Sequence, residues 1–287
     1  MNTRTYYFKV VLISILLVFI PFLPVVSQDE DEPDNRPVRS PYETVTLIDN
    51  QTVVTPFKGA LQMEILHRFG KIEKIDDLFG IYATANTRIG LNYGITDRIM
   101  VGIGTTRDYK LQDIQWKYNI LQQTRSGSMP VALTYYGNMV IDARAEDVFE
   151  YSSSEYKFAH RISYFTQLVL SRKFGDRLSA MIAPGMAYHN AVKDSTFNNM
   201  NFAISAGARA MVIGMNSIIV EYHQPLTASD NIKPGLSAGV EIGTSTHAFR
   251  VFVTNYNQII AQRNLVYNTN DFFSGDVMFG FNISIRF

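Results

Sequence analysis

The chain has 287 residues, with 26 Lys and Arg against 26 Asp and Glu, no Cys, one Trp and 46% hydrophobic residues. Without cysteine there is no disulfide framework, thiolate nucleophile, Cys-ligated zinc, iron–sulfur cluster or lipidated N-terminal Cys. The even charge lacks the basic footprint of a nucleic-acid binder, and a mean hydropathy near zero is too polar for a bundle of membrane-spanning helices.

Arg4 and Lys9 precede an apolar run from Val10 to Val26 that contains Pro21 and Pro24 and ends at Ser27. This pattern predicts a secretory signal peptide over 1–27, the prolines making the run a poor retained anchor. Residues 28–56 follow as an acidic, proline-rich tether with a possible plug or strap. Asp29, Glu30, Asp31, Glu32 and Asp34 cannot support a core, whereas Tyr42 to Thr55 mixes polar and apolar residues. From Phe57 onward the chain carries 22 basic and 19 acidic residues, so the acidity belongs to the tether.

The body, 57–287, alternates. Ala85, Thr87, Ile89, Leu91 and Tyr93 oppose Asn86, Arg88, Gly90 and Asn92, and Ile114, Trp116, Tyr118 and Ile120 oppose Asp113, Gln115, Lys117 and Asn119. A period of two with one greasy face predicts strands. Twelve are expected, near 58–69, 84–94, 98–106, 113–123, 130–141, 160–173, 177–189, 200–211, 216–224, 235–243, 248–255 and 275–287. Short turns such as Tyr93 to Arg98 and Lys173 to Arg177 alternate with longer connections at 70–83, 142–159, 190–199, 225–234 and 256–274, with 107–112 a short exception. Five short turns and six long loops put both chain ends on the short-turn side. The expected fold is all-β, a transmembrane antiparallel up-and-down β-barrel in an outer membrane, with periplasmic termini. Aromatic residues near strand ends, among them Phe69, Tyr93, Tyr164, Tyr188, Phe202, Phe249 and Phe287, suit an interfacial girdle.

The alternating end of the chain, with Phe279, Phe281, Ile283, Ile285 and Phe287 on one face, resembles the assembly signal of bacterial outer-membrane proteins. That resemblance implies insertion by the barrel-assembly machinery into outer-membrane lipid. Further segments, Arg36 to Thr44, Leu47 to Thr52, His67 to Gly70, Leu91 to Arg98 and Gln122 to Gly127, resemble an uncharacterised β-barrel family of Bacteroidetes-type outer membranes, a domain of unknown function. The similarity spans nearly all of the chain after the signal and implies place and fold, with no assigned activity or site residues.

Chemistry is sparse. Gly102-Ile103-Gly104 lies within a strand with no following helix, so it is no phosphate loop. His160, His189 and His247 fall at strand ends or turns and read as solvated or girdle residues, and His67 lies on the apolar face of the first strand. A barrel lipid hydrolase would need a lipid-facing Ser beside His67, and none is evident. Glu221 and His223 share a polar face two residues apart, a spacing open to a metal or a lumen hydrogen bond, with no third ligand in view. Asp76-Asp77 reads as a solvated acidic loop with the option of a divalent cation. No catalytic residue, resident metal or cofactor is expected.

The inward register places Glu64, Arg68, Arg88, Asp113, Lys117, Asp142, Arg209, Glu221, His223, Glu241, Arg250 and Arg286 in the lumen. Five acids against six bases suit either a narrow passive channel for small polar solutes or an interior filled with ion pairs. The alternatives to transport are a structural or partner-binding barrel, its periplasmic partner unnamed by the sequence, and a lipid hydrolase.

Overall fold

The computed structural model describes residues 33–73, 76, 78, 80–149, 156–192 and 196–287. The expected signal peptide and the acidic run through Glu32 lie outside the described residues, as does Asp77.

Among the described residues twelve strands form, each where the period-two pattern runs: β1 (Leu61–Lys71), β2 (Asn86–Thr96), β3 (Ile99–Thr106), β4 (Leu111–Leu121), β5 (Ala132–Asp142), β6 (Ile162–Phe174), β7 (Leu178–His189), β8 (Met200–Ile213), β9 (Asn216–Pro225), β10 (Gly235–Gly243), β11 (His247–Thr254) and β12 (Met278–Arg286). Every strand pairs antiparallel with its neighbours in the chain, and β12 pairs with β1 to close the barrel. Closure satisfies the backbone groups that hydrocarbon could not. The expected boundaries differ from these by two or three residues at several ends, as for β1 and β12. No helix among the described residues is long and apolar enough to cross a membrane, which says nothing against crossing by strands.

Alternation sorts the side chains by solvent. Ile89, Leu91, Ile103, Ile114, Trp116, Ile218, Val240 and Val251 stand exposed on the outer wall, while Glu64, Asn92, Asn119, Glu221 and Asn282 are buried inside. A continuous apolar belt outside and a polar interior is the distribution a bilayer imposes.

Two internal segments fill the barrel. Residues 42–55 enter from the short-turn end, and Tyr42, Val45, Leu47 and Ile48 are all but inaccessible to solvent. From the long-loop end, the β11–β12 connection descends and carries the short helix α1 (Ala261–Tyr267), with Gln262, Asn264, Leu265 and Val266 buried. Before the plug, residues 34–38 stay largely exposed yet run along the β4–β5 turn: Val38 N donates to Gln123 O at 2.9 Å, Arg125 N to Arg36 O at 3.0 Å and Ser126 N to Asp34 O at 2.9 Å. The segment expected as a solvated tether is thus tied to the barrel from Asp34 onward.

Candidate functional site

The plug is a hairpin. Thr46 bridges Gln51, Leu47 N donates to Asn50 O, and Thr52 N donates to Val45 O, each of the latter at 2.9 Å. Thr44 and Thr52 hydroxyls donate to the carbonyls of Thr46 and Thr44 at 2.7 and 2.6 Å. So small a hairpin cannot satisfy its outward backbone groups by itself, and inside a barrel no bulk water does so. The wall does.

Glu221 on β9 receives the tip: Ile48 N and Asp49 N donate to its two oxygens at 2.8 Å each, and Asn50 N is shared between them at 3.2 Å. Three converging N–H groups form a cradle that matches a carboxylate. Opposite, Lys117 on β4 donates to the carbonyls of Val45, Thr52 and Val54 at 2.8, 2.9 and 3.1 Å. Arg250 on β11 donates to the carbonyls of Thr46 and Leu47 and to Ser284 Oγ. Glu64 on β1 accepts from Thr46 Oγ1 at 2.6 Å and Asn92 Nδ2 at 3.0 Å.

Ion pairs complete the grip. Arg68 meets Asp49 at 2.7 Å while lying 4.5 Å above the Phe252 ring centroid. Arg209 bridges Glu43 and Glu241 at 2.9 and 2.7 Å, and Arg286, partly exposed at the barrel end, reaches Glu43 at 3.3 Å. Burial pushes the Asp49 carboxyl above its ordinary value, against the opposing pull of the Arg68 guanidinium.

Three inward charges, Arg88, Asp113 and Asp142, do not hold the plug. Arg88 and Asp113 form a bidentate pair along the wall at 2.9 and 2.6 Å. Asp142, near the long-loop end, pairs with Arg144 at 2.7 Å. The inward glycines give clearance for these arrangements. A Cβ at Gly104 would overlap the Arg88 guanidinium and an Asp113 oxygen, and one at Gly207 would overlap Met181 beside Leu47 of the plug.

Sequence reasoning missed the apolar part of the lumen. Leu47 and Ile48 pack against Val169, Met181, Ile219 and Phe252, all on inward positions. The signal was present: Ile218-Ile219-Val220 and Val251-Phe252-Val253 put an apolar residue on the polar face, which makes sense only if something apolar lies inside. At the other end Leu265 and Val266 of α1 pack on Tyr136, Phe165, Ala187 and Ala203, and Gln262 donates to Asn138 Oδ1 at 2.8 Å.

Between the plug tip and α1 remains a cavity of about 40 Å³, room for about three waters. Asp49 Oδ2, Gln51 Oε1, Gln167 Oε1, Asn264 Oδ1 and Tyr256 OH, on residues that line it, are buried without a hydrogen-bond partner.

The other candidates fall elsewhere. His189 is not a solvated or girdle residue: it turns inward, 7% exposed, edge-on to Tyr267 at 5.6 Å, because the descending loop gives it an aromatic neighbour. His160 lies edge-on to Tyr156 at 6.4 Å, and His247 stacks on Phe249 at 5.8 Å. On the outer wall His67 stacks on Phe281 at 4.7 Å and tilts against Phe69 at 4.4 Å, and among the described residues no serine hydroxyl bonds to it. Beside it, Phe69, Ile81, Phe249, Val251, Phe279 and Phe281 line an apolar outer groove of about 420 Å³. Gly102 and Gly104 lie within β3, and Asp76 is exposed. Phe279, Phe281, Ile283 and Ile285 face outward on β12, with Phe287 following, 69% exposed. For Glu221 and His223 the missing third group is Asp49, delivered by the plug: one ligand atom from each of the three lies within 4.8 Å of the others.

No curated protein matches the chain in sequence. Among solved structures, the NanC porin aligns with a TM-score of 0.49 at 9% identity, over 79% of this chain and 98% of that one. Outer membrane phospholipase A from Escherichia coli aligns at 0.43 and 10% identity, covering 85% and 98%, and LpxR from Salmonella typhimurium at 0.37 and 11%, covering 79% and 99%. Likenesses this distant assign no activity here. Residues 42–287 match the family described as "Membrane bound beta barrel domain (DUF5777)", a match that begins at the first residue of the plug. The chain belongs to this family and is an outer-membrane β-barrel protein.

Proposed function

We propose that the protein is a plugged outer-membrane barrel with no standing solute path, serving as a structural or partner-binding element of the membrane and not as an enzyme. One observation supports this above the rest: the charged side chains expected to line a passage hold the backbone of residues 42–55, leaving about 40 Å³ between plug and α1. Export through a signal peptide cleaved after Ser27 and insertion by the barrel-assembly machinery through the Phe279 to Phe287 strand complete the reading. Planar-bilayer recording of the refolded protein tests it. A silent membrane is the expected result, and steady discrete conductance from the intact chain overturns it.

A gated conduit for small polar solutes is the second reading. It is favoured by the polarity of the wall that plug departure would uncover, where Glu64, Lys117, Glu221 and Arg250 all grip the hairpin. Deleting residues 42–55 separates the two readings. The structural reading expects continued silence under the α1 cap, and the gated reading expects conductance that changes selectivity on Arg250→Gln.

A further inference from the structure

We propose that Asp49, Glu221 and His223 form a site for a first-row transition-metal dication that fastens the plug to the wall. The site rests on the plugged reading, since Asp49 belongs to the hairpin and the other two to β9. Its donors sit far apart in the chain and converge only in the docked fold, with one ligand atom from each within 4.8 Å of the other two. A tetrahedral ion with bonds of about 2.0–2.2 Å needs its donors about 3.4 Å apart, a contraction that side-chain rotation supplies.

Each donor has capacity to spare. Asp49 is 5% exposed in its side chain and gives one oxygen to Arg68, while Oδ2 is buried without a partner. Glu221 offers about four lone-pair positions and receives three backbone N–H groups, Asn50 N shared between its oxygens, so the position facing His223 is the one that passes to an ion. His223 Nδ1 lies 2.8 Å from Ser205 Oγ and Nε2 lies 3.3 Å from Glu221 Oε2. The carboxylate can only accept, so a neutral imidazole donates Nε2–H to Glu221 and accepts the Ser205 hydroxyl at Nδ1. Ion binding shifts the proton to Nδ1, where Ser205 accepts it, and frees the Nε2 lone pair for the metal, with no net proton change on the ring.

The chemistry selects the ion class. Two carboxylates and an imidazole suit zinc, cobalt, manganese or iron(II), whereas calcium and magnesium take all-oxygen sets. Two carboxylates against the Arg68 guanidinium leave the cluster one negative charge. The adjoining cavity, with the unpartnered amide oxygens of Gln51 and Gln167, gives space for the remaining coordination position.

Cobalt(II) titration of the full-length protein refolded in detergent micelles, followed by visible absorption and zinc competition, tests the site. The expected result is one cobalt per chain, displaced by zinc, with affinity reduced tenfold or more in Asp49→Asn and in His223→Gln. Ser205→Ala should weaken binding by about tenfold, and His247→Gln, at a turn, should leave it unchanged. His223→Gln carries the decision on folding, because His223 makes no hydrogen bond to the plug. Wild-type cobalt affinity in that variant, binding lost in His247→Gln, or no saturable absorption band overturns the proposal. Failure of the plugged reading shows separately, as rapid thiol labelling of Val53→Cys in the metal-free protein.

Discussion

The lumen is closed twice, and the two closures use opposite chemistry. At the short-turn end the plug presents a polar backbone, and charged wall residues reach in to satisfy it: Glu221 on three N–H groups, Lys117 on three carbonyls and Arg250 on two. At the long-loop end α1 satisfies much of its own backbone and is held by Leu265 and Val266 against Tyr136, Phe165, Ala187 and Ala203. A hairpin without sheet neighbours must borrow hydrogen bonds, whereas a helix needs mainly an apolar seat. Substitutions should therefore separate the two closures, and a cysteine-free chain allows each to be watched by a single thiol, Val53→Cys for the plug and Val266→Cys for α1.

The largest effect is expected from Glu221→Ala. It removes a fully buried carboxylate and leaves three tip amides without their acceptor, and each buried donor left unsatisfied costs about 1–3 kcal/mol. Labelling at Val53→Cys should accelerate by orders of magnitude, with Val266→Cys still protected. Equal exposure of both thiols would show that the closures are one cooperative unit. Leu265→Ala should do the reverse, at about 2–5 kcal/mol, exposing Val266→Cys with the plug in place. Lys117→Met keeps the volume but withdraws three donors from buried carbonyls, so plug labelling should rise with a weakening of about 1–3 kcal/mol. Arg144→Ala, which breaks a partly exposed pair at the long-loop end, away from both thiols, should shift neither by more than about 1 kcal/mol.

This division also explains what the sequence made legible. Strand order and facing were readable because lipid outside and polar groups inside act on every second residue, so Phe279, Phe281 and Ile283 declare their face against Gly280 and Asn282. The plug was half legible. Its mixed composition suggested an ordered segment, but the sign of an apolar occupant in the inward Ile219 and Phe252 was missed, and nothing local ties Asp49 to Glu221, which lie 172 residues apart. No spacing rule spans such a distance, and the third member of the Glu221 and His223 cluster was invisible for that reason. At seven residues, α1 is too short to establish a helical period, and the connection around it read as a loop. His189 was misread along with it, because its environment is made by Tyr267 of that helix.

Acidification should sharpen the contrast within the N-terminal segment itself. Asp34 and Asp49 are fifteen positions apart and their carboxyls move in opposite directions: the exposed Asp34 is held below its ordinary value by Arg36, and the buried Asp49 is raised by burial. A lowered acid contributes stability above its unfolded value of 3.8 and loses it as the pH falls through the lowered one, so the strap along the β4–β5 turn should survive mild acid. A raised acid works the other way. Between the raised value and 3.8 the docked plug binds more proton than the released one, so docking strengthens as the pH falls through the raised value. Arg68, Glu221, His223 and Tyr256 also face this carboxyl. The Asp49→Asn variant therefore serves as the control, with chelator present throughout. Labelling of Val53→Cys, normalised to the unfolded chain at each pH, should fall on acidification in the parent and stay flat in Asp49→Asn, while Val38→Cys in the strap remains unchanged over that range. The same pH dependence with and without the Asp49 carboxyl would move the titration to another group of the cluster and remove Asp49 as its origin.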